Sequence, residues 1–367
     1  MSIHRAEYDF RPTVFTLRLA LIVTTLFLTM SCDRSLDSRI DRLFTRTIKT
    51  DSPGAAVAIL HQDSLVHAAS FGIRDIRSGE SIAPTTNFRL ASVTKQFTAM
   101  AAMILVERGR VGRDEPITDF FPEFPEYGRK ITVHHLLTHS SGLKDYEDLI
   151  PPETLVPLKD RDVLALLVQE REGDFPPGSL YRYSNSGYAL LALIVEQASG
   201  RTFANFLHEN IFTPLDMSAT IAFEKGISTV PERAFGHTLT DSGFTSTDQS
   251  ITSSVLGDGG IYSSVIDLAK WDRALHAHQL VSEPTMETIF HPHVDTDDGN
   301  EYGYGWFIGE WSGRKMIWHH GSTIGFRTAI LRIPDIQLTV IVLANRNDID
   351  VGEYARKVLR WTFREYS

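Results

Sequence analysis

Ser92-Val93-Thr94-Lys95 sets a hydroxyl and an amine three residues apart, at the start of an apolar run (Phe97, Met100, Ile104, Leu105) that ends at Gly109. Three residues is close to one helical turn, so both side chains project from one face as neighbours. A serine hydroxyl becomes a nucleophile when a nearby base takes its proton, and an amine in a dry pocket can be that base. The positive end of the helix dipole repels a cation, which is expected to lower the Lys95 pKa. Two further motifs carry compatible chemistry. Tyr183-Ser184-Asn185 follows Pro176-Pro177-Gly178 and opens a helical pattern. A tyrosine beside a lysine ammonium can have its phenolate stabilised and relay the serine proton. Asn185 offers an acceptor and donors, suited to orienting Lys95 or a substrate amide. Trp318-His319-His320-Gly321-Ser322 ends an expected strand, where Gly321 lets another backbone or a ligand approach closely.

The elements that must bring these groups together follow from periodicity. Residues 37–48 space Ile40, Leu43, Phe44 and Ile48 as a helix. Runs at 54–60 and 64–71, separated by His61-Gln62-Asp63, read as a hairpin. Prolines from Pro116 to Pro177 interrupt the middle of the chain, which reads as helix and loop, with a clear helix over 187–199 stopped by Gly200. Strands are expected at 302–309, 315–319, 326–333 and 337–344, with Pro334-Asp335 as a turn, and a helix over 351–363 closes the chain. Strands at both ends with helices between them predict an α/β (α+β) fold. Its sheet draws on both termini and is antiparallel in its C-terminal part. The expected organisation is an α/β domain from 36–109 and 256–367, with a mainly helical domain inserted at 110–255.

Composition bounds the function. The chain has 367 residues, 42% hydrophobic and 22% charged, with a formal net charge of -10. Arg5, Arg11 and Arg18 precede an apolar run from Leu19 to Met30. That run is shorter than the roughly 20 residues of a membrane span, so residues 1–31 read as an export signal. Cys32 is the single cysteine, which excludes an intramolecular disulfide. Its place after the signal resembles a bacterial lipoprotein processing site, so the expected location is periplasmic or cell-envelope, lipid-anchored through Cys32. Without residues 1–31 the chain carries 33 basic and 44 acidic side chains, a balance that argues against nucleic acid as a partner.

The ordered set Ser-x-x-Lys, Tyr-x-Asn, His-x-Gly resembles the serine β-lactamase and penicillin-binding protein superfamily. Further stretches fit its class C β-lactamase-like branch of D-alanyl-D-alanine carboxypeptidases, D-amino-acid peptidases and esterases. They are Phe88-Arg89-Leu90-Ala91-Ser92, Leu136-Leu137-Thr138-His139-Ser140-Ser141-Gly142-Leu143, and Gly259-Gly260-Ile261-Tyr262-Ser263. The resemblance implies a β-lactamase/transpeptidase-like fold with Ser92 as acyl-accepting nucleophile and Lys95 as its proton partner. It also implies Tyr183 as general base or relay, Asn185 as a substrate-positioning group, and an oxyanion hole from the backbone N–H groups of Ser92 and Ser322, beside Gly321. His319 stands where many relatives have the lysine of Lys-Thr-Gly. A histidine there can still donate a hydrogen bond, and can carry charge at mildly acidic pH. The implied reaction is hydrolysis of an ester or amide in a small molecule or peptide through a Ser92 acyl-enzyme, without metal or other cofactor, favouring esterase or D-peptidase substrates over β-lactams.

Three other readings fit less of the chain. His134, His135 and His139 cluster, but no His-Glu-x-x-His occurs to supply a zinc site. The Gly-x-Ser-x-Gly elbow of α/β-hydrolases is absent. The third is a non-catalytic or penicillin-binding lipoprotein acting as a ligand sensor; a pure binding module would leave Ser92, Lys95 or Tyr183 missing or unused, and all three are present.

Overall fold

In the computed structural model, which describes residues 35–366, an antiparallel sheet of eight strands is assembled from the two halves of the chain. The first half gives β1 (Ala55–His61) and β2 (Ser64–Phe71). The second gives β3 (Val294–Asp295), β4 (Glu301–Tyr302), β5 (Phe307–Trp311), β6 (Arg314–Thr323), β7 (Phe326–Ile333) and β8 (Leu338–Ala344). Their order across the sheet is β2-β1-β8-β7-β6-β5-β4-β3. β8 (Leu-Thr-Val-Ile-Val-Leu-Ala) is buried at all seven positions, as a strand covered on both faces requires. β2, at the edge, is the most exposed of the longer strands. The hairpin between β1 and β2 turns on Gln62 and Asp63, both at positive φ.

Four longer helices matter to the site: α1 (Lys95–Glu107), α2 (Asn185–Ser199), α3 (Val265–His276) and α4 (Val351–Tyr366). α1 is buried from Lys95 through Leu105, so it is covered on all sides rather than along one stripe. α2 packs against it and ends at Gly200, whose φ of 70° closes the helix in the left-handed region. α3 lies on β1 and β8, and α4 on β7 and β8.

The expected helix over 37–48 is Leu36–Thr45, and the strand over 326–333 matches β7 residue for residue. The strand expected at 302–309 is broken into β4 and β5. Between them Gly305, at φ 80°, comes so close to α1 that an added Cβ would lie 2.8 Å from the Lys95 carbonyl oxygen. The strand expected at 315–319 runs on through Gly321 and Ser322 to Thr323. The middle of the chain holds short strands not foreseen, Ile221–Ala222, His237–Thr240 and Gly243–Ser246. The chain divides into two units, residues 1–43 and 44–367. The sheet and the site lie wholly in the second, and its hydrophobic core runs from Ala56 to Leu343 through α1 and α2 without a break at 110–255. The expected export signal and Cys32 lie outside the described residues. No helix among the described residues is long and apolar enough to cross a membrane.

Candidate active site

Ser92 lies on a short 3-10 turn, Ala91–Thr94, that leads into α1, and it is the residue of that turn that is not buried. Ala91 before it has φ 49°, a left-handed conformation that costs a non-glycine residue roughly 1–2 kcal/mol. The turn is pressed into place by β6. Gly321 has no side chain where a Cβ would lie 2.2 Å from both the Leu90 carbonyl oxygen and Thr328 Oγ1. The Thr328 hydroxyl in turn donates to that carbonyl at 2.7 Å. This contact sets Ser322 opposite Ser92 across one small pocket of about 50 Å³, with Ala91, Glu147, Asn185, Asp258, Gly259 and Thr323 also in its wall.

Lys95 is fully buried beneath Ser92. Its Nζ stands 3.3 Å from Ser92 Oγ, 2.8 Å from Asn185 Oδ1 and 3.1 Å from the Asp258 carbonyl oxygen. The last two atoms can only accept, so two N–H bonds of the amine are committed to them. In the neutral amine the third direction is a lone pair aimed at the serine hydroxyl, the geometry a base requires. Burial pushes the Lys95 pKa down to about 8, against the opposing pull of Asp258, Asp145 and Glu147. The lowering expected from the helix dipole thus has a different cause: desolvation is the largest influence.

Asn185, the first residue of α2, is held at both ends. Its backbone N–H donates to Asp145 Oδ2 at 2.7 Å, and its Nδ2 donates to Glu147 Oε1 at 3.1 Å, which turns Oδ1 toward Lys95. Tyr183 joins the pair, with its ring face 4.8 Å from Lys95 Nζ. Its hydroxyl is buried without a completed hydrogen bond. Burial pushes its pKa well up, and the nearby Ser92 opposes this only in part. Lys95 Nζ lies over the ring and makes no hydrogen bond to the hydroxyl, so the phenolate that a lysine ammonium can stabilise is not the resting form, and Tyr183 is a neutral phenol there.

His319 is a second correction. It is buried and outside the pocket wall, with Nε2 3.1 Å from Tyr302 Oη and Nδ1 2.7 Å from the His320 carbonyl oxygen. Burial, with the Lys95 ammonium nearby, lowers its pKa to about 3, so it carries no charge at mildly acidic pH. Among the described residues no group of three or more metal-ligating side chains converges, at His134, His135 and His139 or elsewhere.

Three acidic residues were missed. Asp258 accepts from Tyr146 Oη at 2.9 Å, and burial raises its pKa to about 6. Asp160 fixes the turn before it, accepting the Leu256 and Gly257 N–H groups at 2.9 Å each. Glu147 is an exposed residue that lines the same pocket, and partial desolvation of its carboxylate is the first cause raising its pKa. The signal for Glu147 was the acidic stretch Asp145-Tyr146-Glu147-Asp148 just past Gly142-Leu143, but only the fold brings it to Asn185. Arg89 also lines the pocket, yet its guanidinium donates to the Gly259 carbonyl and to Ser253. The wall of the Ser92 pocket therefore holds two carboxylates and one cation, the cation with its N–H groups turned onto neutral acceptors.

A Beta-lactamase family model matches residues 40–360. Penicillin-binding protein 4* of Bacillus subtilis (strain 168) is 30% identical over 325 residues, which cover 84% of this chain and 70% of that protein. The D-aminopeptidase of Brucella canis is 27% identical over 80% of this chain, which spans 56% of that protein's length. Among solved structures, the octameric penicillin-binding protein homologue from Pyrococcus abyssi superposes with a TM-score of 0.77 at 28% identity, covering 89% of this chain and 76% of that one.

Proposed function

The chain belongs to the Beta-lactamase family, and on that footing we propose that it is a serine acyl hydrolase of amides and esters whose acyl part carries a free amino group. The observation that carries this specificity is the acidic wall. Glu147 and Asp258 line the Ser92 pocket, while the cation in the wall, Arg89, has its N–H groups committed to neutral protein acceptors. A carboxylate in that wall attracts an ammonium and repels a substrate carboxylate. The D-aminopeptidase name of the Brucella relative supports amino-acid amides and short peptides of D configuration as the substrate class.

In this reading neutral Lys95 takes the Ser92 proton as Oγ attacks the carbonyl carbon. The oxyanion is held by the N–H groups of Ser92 and Ser322, a device worth about 3–4 kcal/mol per donor. Tyr183, neutral at rest, gives its proton to the departing amine or alcohol. In deacylation water gives a proton to the Tyr183 phenolate as it attacks the acyl carbon, and the Lys95 ammonium returns its proton to Ser92 Oγ as the acid leaves. The pattern of residues 1–32 supports export and a lipid anchor on Cys32. Mass spectrometry of the protein from a membrane fraction checks that: a mature chain starting at an acylated Cys32 is expected, and an unmodified cysteine refutes the anchor.

The specificity is tested with D-alanine p-nitroanilide and its N-acetyl form. The free amine is expected to have a kcat/KM at least about tenfold higher, and Glu147→Gln to erase most of that ratio through KM. Equal turnover of the acetylated substrate by the unaltered enzyme refutes the amine preference.

A further inference from the structure

Tyr183 stands on a loop, so its hydroxyl is only as well placed as the residues that hold that loop. His139 holds it on three sides. Its carbonyl accepts the Arg182 N–H at 2.9 Å, and its ring Nδ1 accepts the Ser184 N–H at 3.2 Å. Its ring lies against that of Tyr183, with centroids 4.2 Å apart and planes at 33°. His139 itself has φ 58°, a left-handed conformation seldom adopted by residues other than glycine, which its surroundings must enforce.

A chain of hydrogen bonds leads on from the far side of this ring. His139 Nε2 is 3.2 Å from Tyr302 Oη, Tyr302 Oη is 3.1 Å from His319 Nε2, and His319 Nδ1 is 2.7 Å from the His320 carbonyl oxygen. Both ends are backbone groups, and they fix every proton between them. An amide N–H only donates, so His139 Nδ1 is an acceptor and Nε2 carries the hydrogen. A carbonyl only accepts, so His319 Nδ1 carries its hydrogen and Nε2 is the acceptor. Tyr302 must then accept from His139 and donate to His319. A second proton on either imidazole breaks a bond at Ser184 or at Tyr302. Burial and the Lys95 ammonium oppose that proton on both rings, with His319 also opposing it on His139 and His320 opposing it on His319.

The chain joins the loop that carries Tyr183 to β6, the strand that carries Ser322. We propose that His139, Tyr302 and His319 are positioning residues, acting as one neutral hydrogen-bonded unit that fixes Tyr183 over Ser92. The proposal rests on the proton-transfer role given to Tyr183 above. A neutral unit here also leaves Lys95 without a second cation beside it, where one would further disfavour its ammonium.

The test uses the full chain labelled with 15N-histidine, together with Tyr302→Phe, which keeps the ring packed 4.9 Å from Phe307 and removes only the hydroxyl. The unaltered protein is expected to show the Nε2–H tautomer for His139 and the Nδ1–H tautomer for His319, both neutral from about pH 5 to about pH 8. Tyr302→Phe is expected to lower kcat about tenfold or more, leave KM within about twofold, and change the tautomer of at least one of the two histidines. Reversed tautomers, or a charged imidazole at either position within that range, overturn the proposal even if the variant does not fold. An enzyme that forms a fluorophosphonate adduct at Ser92, but whose Tyr302→Phe variant keeps its kcat, overturns the positioning role and leaves the hydrolase reading intact. An unaltered protein with no adduct at Ser92 overturns both.

Discussion

At the scale of single residues, the decisive group is an amine forced out of water. Lys95 has a pKa of about 8 in the folded chain, against 10.5 for the free side chain. Its neutral form therefore grows as pH rises through about 8, and it is that form whose lone pair points at Ser92. For an ester without an amino group, kcat/KM is expected to climb with pH to a plateau above about 8, and a stopped-flow pH profile checks the limb. Lys95→Arg, which stays charged at every working pH, is expected to abolish both the limb and the labelling of Ser92. The same lowering has a sign for stability. The unfolded chain binds this proton more tightly, so the Lys95 contribution becomes more favourable to folding as pH rises from about 8 toward 10.5. Ser92, Lys95, Tyr183 and Asn185 were legible because their types and spacing carry the chemistry. Glu147 was not, since nothing in the chain's local pattern says that a residue 38 positions before Asn185 will meet its amide nitrogen. His319 was legible as a type but not as an environment: a motif gives no measure of burial, and burial decides whether an imidazole is charged.

At the scale of elements, two close approaches build the site, and each needs a residue without a Cβ. Gly321 brings β6 against the turn before Ser92, and Gly305 brings the segment between β4 and β5 against the first turn of α1. The second approach explains why alternating apolar residues over 302–309 read as one strand but fold as two. The pattern records which residues are apolar, not that the chain must arch over Lys95. Gly321→Ala is expected to push β6 and the Ser92 turn apart. The rate of fluorophosphonate labelling should drop by roughly 100-fold, and the fold should lose about 2 kcal/mol or more in a denaturant titration. Gly313→Ala is the control, because Gly313 also has a positive φ (78°) but an added Cβ there meets nothing within 4 Å. It should cost about 1 kcal/mol of backbone strain and leave labelling unchanged. Equal labelling by the two variants would mean that the close approach at Gly321 does not place Ser322.

At the scale of the whole molecule, strands far apart in sequence must find each other before a site exists, since β1 pairs with β8 at the end of the chain. The spacing of apolar residues placed strands toward both ends of the chain with helices between them. It did not show that the core of residues 44–367 is continuous, because α1 and α2 are buried over most of their length and pack on each other. One buried ion pair ties this assembly together. Asp272 on α3 accepts from Arg332 Nε on β7 and from the Thr339 hydroxyl on β8, and both charged side chains are almost wholly removed from water. Arg332 Nη1 already lacks a partner, so the carboxylate of Asp272 is the group that compensates the guanidinium. Asp272→Ala would strand that cation between the rings of Phe290 and Trp306. The expected loss is about 3–5 kcal/mol of unfolding free energy, the typical cost of removing one partner of a buried pair. Asp272 is not among the residues around Ser92, so at temperatures where the variant is still folded its labelling rate should match the unaltered enzyme's. A thermal melt read alongside a labelling time course separates the two effects: a variant that melts normally shows the pair to be dispensable, and one that is folded but does not label shows that the sheet transmits its strain to the site.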